Sequence, residues 1–122
     1  MGVFVADTSG LVSLGIAADR TPNPLSLCVA EYDVVVPEEV ISELDAVASY
    51  GDDHGRAATA VLDHRSRMTV ESVDLDAEFP LDDGENAAVT LANEREAALL
   101  LCDEFNRLGL IHASLADTRL VT

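Results

Sequence analysis

Three short apolar runs, Val3-Phe4-Val5-Ala6, Val34-Val35-Val36 and Ala98 through Cys102, are separated by stretches in which apolar residues recur at helical spacing. Runs this short, rich in β-branched residues and bounded by turn or cap signals, read as buried strands. Strands that alternate with helices fold as an α/β sandwich on a largely parallel sheet. Helices are expected after Thr8 or Ser9 as cap, with Leu11, Leu14 and Ala18 on one face, and from Pro24 through Ala30. A further helix opens at Pro37-Glu38-Glu39, with Val40, Leu44 and Val47 as its stripe. Residues 55–67 continue the pattern with Ala58, Val61 and Leu62 inward, and residues 68–73 read as a weak strand. Asp74 to Leu81 is acidic, contains Pro80 and lacks periodicity, so it is a loop. Asp82 or Asp83 caps the next helix, with Ala87, Ala88, Leu91 and Ala92 inward. Residues 106–116 read as a helix and Arg119 to Thr122 as a last strand. With 122 residues, 48% of them hydrophobic, one domain spanning 1–122 with a real core is expected.

Ligand sites of parallel α/β sheets lie beyond the carboxyl ends of the strands. Asp7 and Asp103 directly follow apolar strands, so both fall at that edge. Glu43 and Glu85 lie in the first or second turn of helices that start near it. Carboxylates gathered in a partly dry cleft repel one another unless a cation lies between them. Mg²⁺ or Mn²⁺ suits such a site, because hard cations take oxygen ligands and keep waters for chemistry. A metal-assisted hydrolase of phosphodiesters is the leading expectation. Each acid also has a plainer role: Asp7 as a helix cap, Glu43 as a solvated side chain, and Glu85 as a first-turn acid favoured by the helix dipole. Asp103, directly after Leu99-Leu100-Leu101-Cys102, is the hardest to assign to open solvent.

Charge narrows the setting. Asp and Glu number 23 against 7 basic residues, for a formal net charge of -16. All the basic residues are Arg, and there is no lysine. The excess is spread along the chain rather than blocked together, which fits a salt-loving host better than a decoy for a basic partner. In molar salt the screening length is roughly 3 Å, so self-repulsion is damped. Few cations also mean that any hold on nucleic acid is weak, because the phosphate-contact contribution is small. A phosphoacceptor receiver domain, which also has an acidic pocket at its strand ends, depends on a lysine that this chain lacks. Cys28 and Cys102 lie in apolar runs and read as buried thiols, not a disulfide framework. His54, His64 and His112 have no Cys or His at zinc spacing and read as surface or packing residues. With no apolar stretch long enough to span a membrane and no basic leader, a cytoplasmic location is expected.

The segments VFVADTSGLVSL, VVVPEEVISEL, PLDDGENAAVTLA and LLLCDEFNR, found in this order, resemble the PIN domain nucleases over nearly the whole chain. The resemblance implies a three-layer α/β/α sandwich and an endonuclease of single-stranded RNA that needs Mg²⁺ or Mn²⁺. It implies Asp7, Glu43, Glu85 and Asp103 as metal ligands and catalytic acids. Thr8 or Ser9 would support the first ligand, and Glu104 and Asn106 would be additional polar groups past the last acid. Arg107, one turn beyond Asp103, is the candidate phosphate anchor, with ordinary ion pairing as its alternative. Family members commonly continue past the last strand into a further helix, whereas this chain stops at Thr122. The resemblance thus leaves that edge trimmed or completed by another subunit. It admits a homodimer and an antitoxin protein as partners alongside RNA. The alternative function is a PIN-like binding or scaffold module without nuclease activity.

Overall fold

The structure is a computed structural model that describes residues 2–78, 81–103, 111 and 115–121. A five-stranded parallel sheet of order β3-β2-β1-β4-β5 forms its centre. Its strands are β1 (Val3–Ala6), β2 (Asp33–Pro37), β3 (Thr69–Glu71), β4 (Leu99–Leu101) and β5 (Arg119–Val121). The crossovers carry α1 (Thr8–Ile16) and α2 (Pro24–Glu31), then α3 (Glu38–Ala48) and α4 (Asp53–Leu62), then α5 (Asp83–Glu94). The expected α/β/α sandwich is therefore observed. Among the described residues no helix is long and apolar enough to cross a membrane.

The pleat explains why the buried positions of the central strands carry no charge. Phe4 and Ala6 of β1, with Val34 and Val36 of β2, face the layer of α1 to α4, where Leu11, Val40, Leu44, Ala58 and Val61 close the core. Val5, Val35 and Leu100 point to the opposite layer, against Ala88, Val89, Leu91 and Ala92 of α5. Successive side chains leave a strand on opposite faces, so covering both faces makes every position apolar. Val5, Val35 and Val36 are fully enclosed, and each such side chain contributes about 1.5–3 kcal/mol.

Four local readings are corrected. The cap of α1 is Asp7, whose side chain accepts from Gly10 N, not Thr8 or Ser9. Pro37 is the last residue of β2 and the cap of α3 instead of lying in its first turn. The third expected strand is only Thr69–Glu71. The expected helix over 55–67 is α4, which begins at Asp53 with Asp52 as cap and ends at Leu62. His64 N bonds Val61 O at 2.9 Å and Arg67 N bonds His64 O at 2.9 Å. That ladder tightens into a 3₁₀ turn at Arg65–Arg67, where no further apolar residue faces the core. Of the helix expected over 106–116, only Ile111, helical and buried, and residues 115 and 116 are described. Glu104, Asn106, Arg107 and His112 lie outside the described residues.

The sheet order places a topological switch at β1 and β4. From β1 the chain winds outward through β2 to β3, then crosses back to the far side of β1 to make β4. Their carboxyl ends are tied by Asp7 N donating to Leu101 O at 3.1 Å. Crevices in doubly wound sheets open where the winding reverses.

Candidate active site

A cavity of about 270 Å³ opens at this switch, with Asp7, Thr8, Glu43, His54, Asp82 and Glu85 among its lining. Asp7 is held most firmly. It is 4% exposed, and its Oδ1 accepts from Gly10 N at 2.8 Å and Ser9 Oγ at 2.9 Å. Burial pushes its carboxyl above the ordinary range; hydrogen bonds from Cys102, Gly10 and Ser9 pull the other way, and the Asp82 charge adds to the rise. The cap reading of Asp7 thus holds, and it coexists with a place in the cleft. The cap fixes which way the carboxylate faces.

Glu43 reaches the cleft from α3. The residue is exposed overall, but its carboxylate is packed against the first turn of α5 at Gly84. A Cβ at Gly84 would run into that carboxylate, with Glu43 Cδ only 2.9 Å away, so the glycine of Asp83-Gly84-Glu85 makes room for Glu43. Partial burial raises the Glu43 carboxyl; the Thr8 hydroxyl opposes the rise, and the charges of Asp82, Asp7 and Asp83 reinforce it. Thr8 Oγ1 approaches without meeting hydrogen-bond geometry. Glu85 is 8% exposed and sits in the first turn of α5, where Asp82 Oδ1 accepts from its backbone N at 3.1 Å. Its neighbour Asn86 anchors the preceding loop, donating to Asp76 O at 2.7 Å and accepting from Asp76 N at 3.0 Å.

Asp103 is not among the residues that line the cavity. It is joined to it through one hydroxyl: Ser9 Oγ, which donates to Asp7, accepts from Asp103 N at 3.0 Å. Ser13 Oγ donates to Asp103 Oδ2 at 2.5 Å. Gly10 permits this approach of α1 to β4, since a Cβ there would meet Leu101 Cγ at 2.8 Å. The structure thus brings Asp7, Glu43 and Glu85 around one cavity and sets Asp103 beside it.

Four contributors were not assigned to the site from sequence. Asp82 was read only as a helix cap, yet its charge bears on both Asp7 and Glu43. His54 was read as a surface or packing residue and lines the cleft. Cys102 hydrogen-bonds Asp7, and Ser13, one turn after Ser9, holds Asp103. The Ser9 and Ser13 pair at i, i+4 was the available signal, because those positions share one helix face.

The donor chemistry fits a hard divalent cation, since every carboxylate at the cavity offers oxygen. Among the described residues, no three His, Cys, Asp or Glu groups are arranged to grip an ion by themselves. Mg²⁺ tolerates that, because it keeps several waters and binds through one or two carboxylates plus substrate phosphates.

Comparison with solved structures gives the same fold. VapBC2 from Rickettsia felis, bound to a DNA fragment from its promoter, matches with TM-score 0.59 at 14% identity, covering 98% of this chain and 97% of that one. A domain of a functionally unknown protein from Methanocaldococcus jannaschii matches with TM-score 0.63 at 18% identity, covering 100% and 92%. No curated protein matches the sequence significantly. A family model described as PIN domain matches residues 3–108, the stretch that contains every element from β1 through β4, and the chain belongs to the PIN domain family of nucleases.

Proposed function

We propose that this protein is a metal-dependent endoribonuclease that cleaves phosphodiesters of single-stranded RNA, in a toxin-type or RNA-processing role. The observation that carries the reading is the convergence of Asp7, Glu43, Asp82 and Glu85 on one cavity at the carboxyl ends of β1 and β4, where burial and neighbouring like charge both raise the Asp7 and Glu43 carboxyls. Carboxylates gathered in this way favour a cation between them.

Mg²⁺ or Mn²⁺ would be held by Asp7, Glu43 and Glu85, with Asp103 beside them. When bound, it supplies an activated water and offsets charge developing on the phosphoryl oxygens. The chain's own residues prepare for this. Gly10 N and Ser9 fix the orientation of Asp7. Ser13 and Ser9 fix Asp103. Glu43, admitted by Gly84, faces the same space from the opposite helix and completes the ligand shell or orients the water. A cytoplasmic location, a salt-rich host, a homodimer and an antitoxin partner belong to the same proposal. The VapBC2 neighbour, whose name pairs two components, supports the antitoxin.

A second reading, a PIN-like binding or scaffold module, is favoured by the lack, among the described residues, of three groups spaced to grip an ion unaided. One assay separates the two. Single-stranded and duplex RNA are incubated in high KCl with Mn²⁺, using wild type, Asp7→Asn and an EDTA control. The nuclease reading requires cleavage of the single strand by wild type alone. Binding without cleavage at any Mn²⁺ concentration would establish the scaffold, and cleavage that survives both Asp7→Asn and EDTA would remove the metal mechanism.

A further inference from the structure

The acidic cleft opens in two directions that differ in charge. One leads to a depression of about 590 Å³ bordered by Glu39, Glu43, Asp82 and Asp83, with no cationic side chain among the described residues of its lining. The other leads past His54 into a groove of about 600 Å³ between the end of α1 and the start of α4. Among the described residues, His54 is the one that lines both the cleft and this groove.

The groove has the parts a nucleotide needs. Arg56 lines it, paired among the described residues with Asp53 one turn away, at a position where both side chains are mostly exposed, 73% and 83%. Water competes readily with such a pair, so the guanidinium is available to a phosphate. Ile16, the last residue of α1, is 56% exposed and offers an apolar face. Beneath it the two helices meet closely: a Cβ on Gly15 would lie 2.9 Å from the Ala57 carbonyl carbon, and Ala57 and Ala60 complete a floor of small side chains. Asp19 and Asp53 also border the groove. Among the described residues the comparison is thus two acids with an arginine and a histidine on this side, against four acids and no cation on the other.

We propose that the RNA strand leaves the acidic cleft through the α1/α4 groove, with the phosphate next to the scissile one held by the His54 ring N–H and Arg56, and the adjoining base lying over Ile16. This rests on the nuclease reading above. A polyanion threaded through the other mouth would pass four carboxylates with no compensating charge among the described residues, so electrostatics favours the α1/α4 direction. Ile16 offers apolar contact to whichever base lies over it and no hydrogen-bond readout, so the groove fixes the strand's path without dictating sequence.

The test uses the full chain, Mn²⁺ and a single-stranded RNA 12-mer substituted throughout with 4-thiouridine, irradiated before turnover, with crosslinked peptides mapped by mass spectrometry. In parallel, KM and kcat are measured for wild type, His54→Ala/Arg56→Glu and, on the opposite mouth, Asp83→Ser. The expected result is crosslinking to residues 15–19 or 53–60. The double variant should raise KM about tenfold or more, with kcat changed less than about twofold, the size of losing one to two phosphate contacts. Asp83→Ser should leave KM unchanged or lower it. Wild type that cleaves while crosslinks fall on residues 39–43 or 82–83, or while the double variant keeps wild-type KM, overturns the groove alone. Wild type that crosslinks in the groove but cleaves nothing supports the groove and overturns the nuclease reading. Neither crosslinking nor cleavage overturns both.

Discussion

Ser9→Ala is the most informative single change, because one oxygen is lost and two sides of the site are uncoupled. Ser9 Oγ donates to Asp7 Oδ1 at 2.9 Å and accepts from Asp103 N at 3.0 Å. A hydrogen bond to a charged acceptor contributes about 1.5–3 kcal/mol, and a buried N–H left without its acceptor costs about 1–3 kcal/mol. Both interactions are only partly buried, so water entering the vacated space recovers some of the loss, and the expected destabilisation is about 2 kcal/mol. For 122 residues the unfolding entropy is about 0.26 kcal/mol/K, which converts that loss to a melting temperature lower by about 8 °C. Asp7 keeps its cap bond from Gly10 N, and Ser13 keeps Asp103 Oδ2, so α1 should persist in circular dichroism. Ser9→Thr, which retains a hydroxyl, should recover most of the loss. Thermal denaturation of the metal-free protein measures all three. A shift under about 2 °C for Ser9→Ala, or equal shifts for Ala and Thr, would refute the Ser9 hydroxyl as a stabilising bridge between Asp7 and Asp103.

Three other outcomes follow from the cleft. Asp7 and Glu43 titrate above their ordinary values in the folded chain, so the folded state binds more protons than the unfolded state between the two pKa values. The stability they contribute is therefore complete below the unfolded values, near pH 4, and is lost as pH rises through the folded ones. Melts of the metal-free protein should fall across that window, less steeply in Asp7→Asn; a rise, or an unaltered slope in the variant, contradicts the burial of Asp7. Gly84→Ala sets a helix-propensity gain of up to about 1 kcal/mol against a clash with the mobile end of Glu43. Stability should change by less than about 1 kcal/mol while RNA cleavage drops at least tenfold, and full activity with Glu43 displaced from the cleft would remove Glu43 from the mechanism. Raising KCl should raise the melting temperature by screening the charge of -16, and Mn²⁺ at 100 times its Kd should add about 2.7 kcal/mol. Mn²⁺ that leaves wild type and Asp103→Asn equally unchanged would count against the site.

The strands were legible because burial on both faces writes itself as uncharged β-branched sequence, as in Val34-Val35-Val36. The three cleft acids were legible because each sits where a parallel sheet turns its carboxyl edge to a helix. What was not legible depends on side-chain meetings between distant segments. Nothing in the periodicity around His54 says that α4 begins beside α1, since that depends on Gly15 and Ala57 letting the two helices touch. The choice of Asp7 over Thr8 or Ser9 as cap was open in sequence, because all are good caps; in the structure Asp7 keeps extended backbone and accepts from Gly10 N. Asp82 looked like a helix cap and is one; its effect on Asp7 and Glu43 needs the three-dimensional approach of α3 to α5.

Crystals soaked in Mn²⁺ and measured at the manganese edge test the central claim most directly, because the anomalous signal locates the ion without reference to activity. The account predicts a peak in the cavity at the ends of β1 and β4, bonded at about 2.0–2.2 Å to at least one oxygen of Asp7, Glu43 or Glu85, and lost in Asp7→Asn crystals of the same form. An empty cleft at saturating Mn²⁺, or manganese bound only elsewhere on the acidic surface, would contradict it.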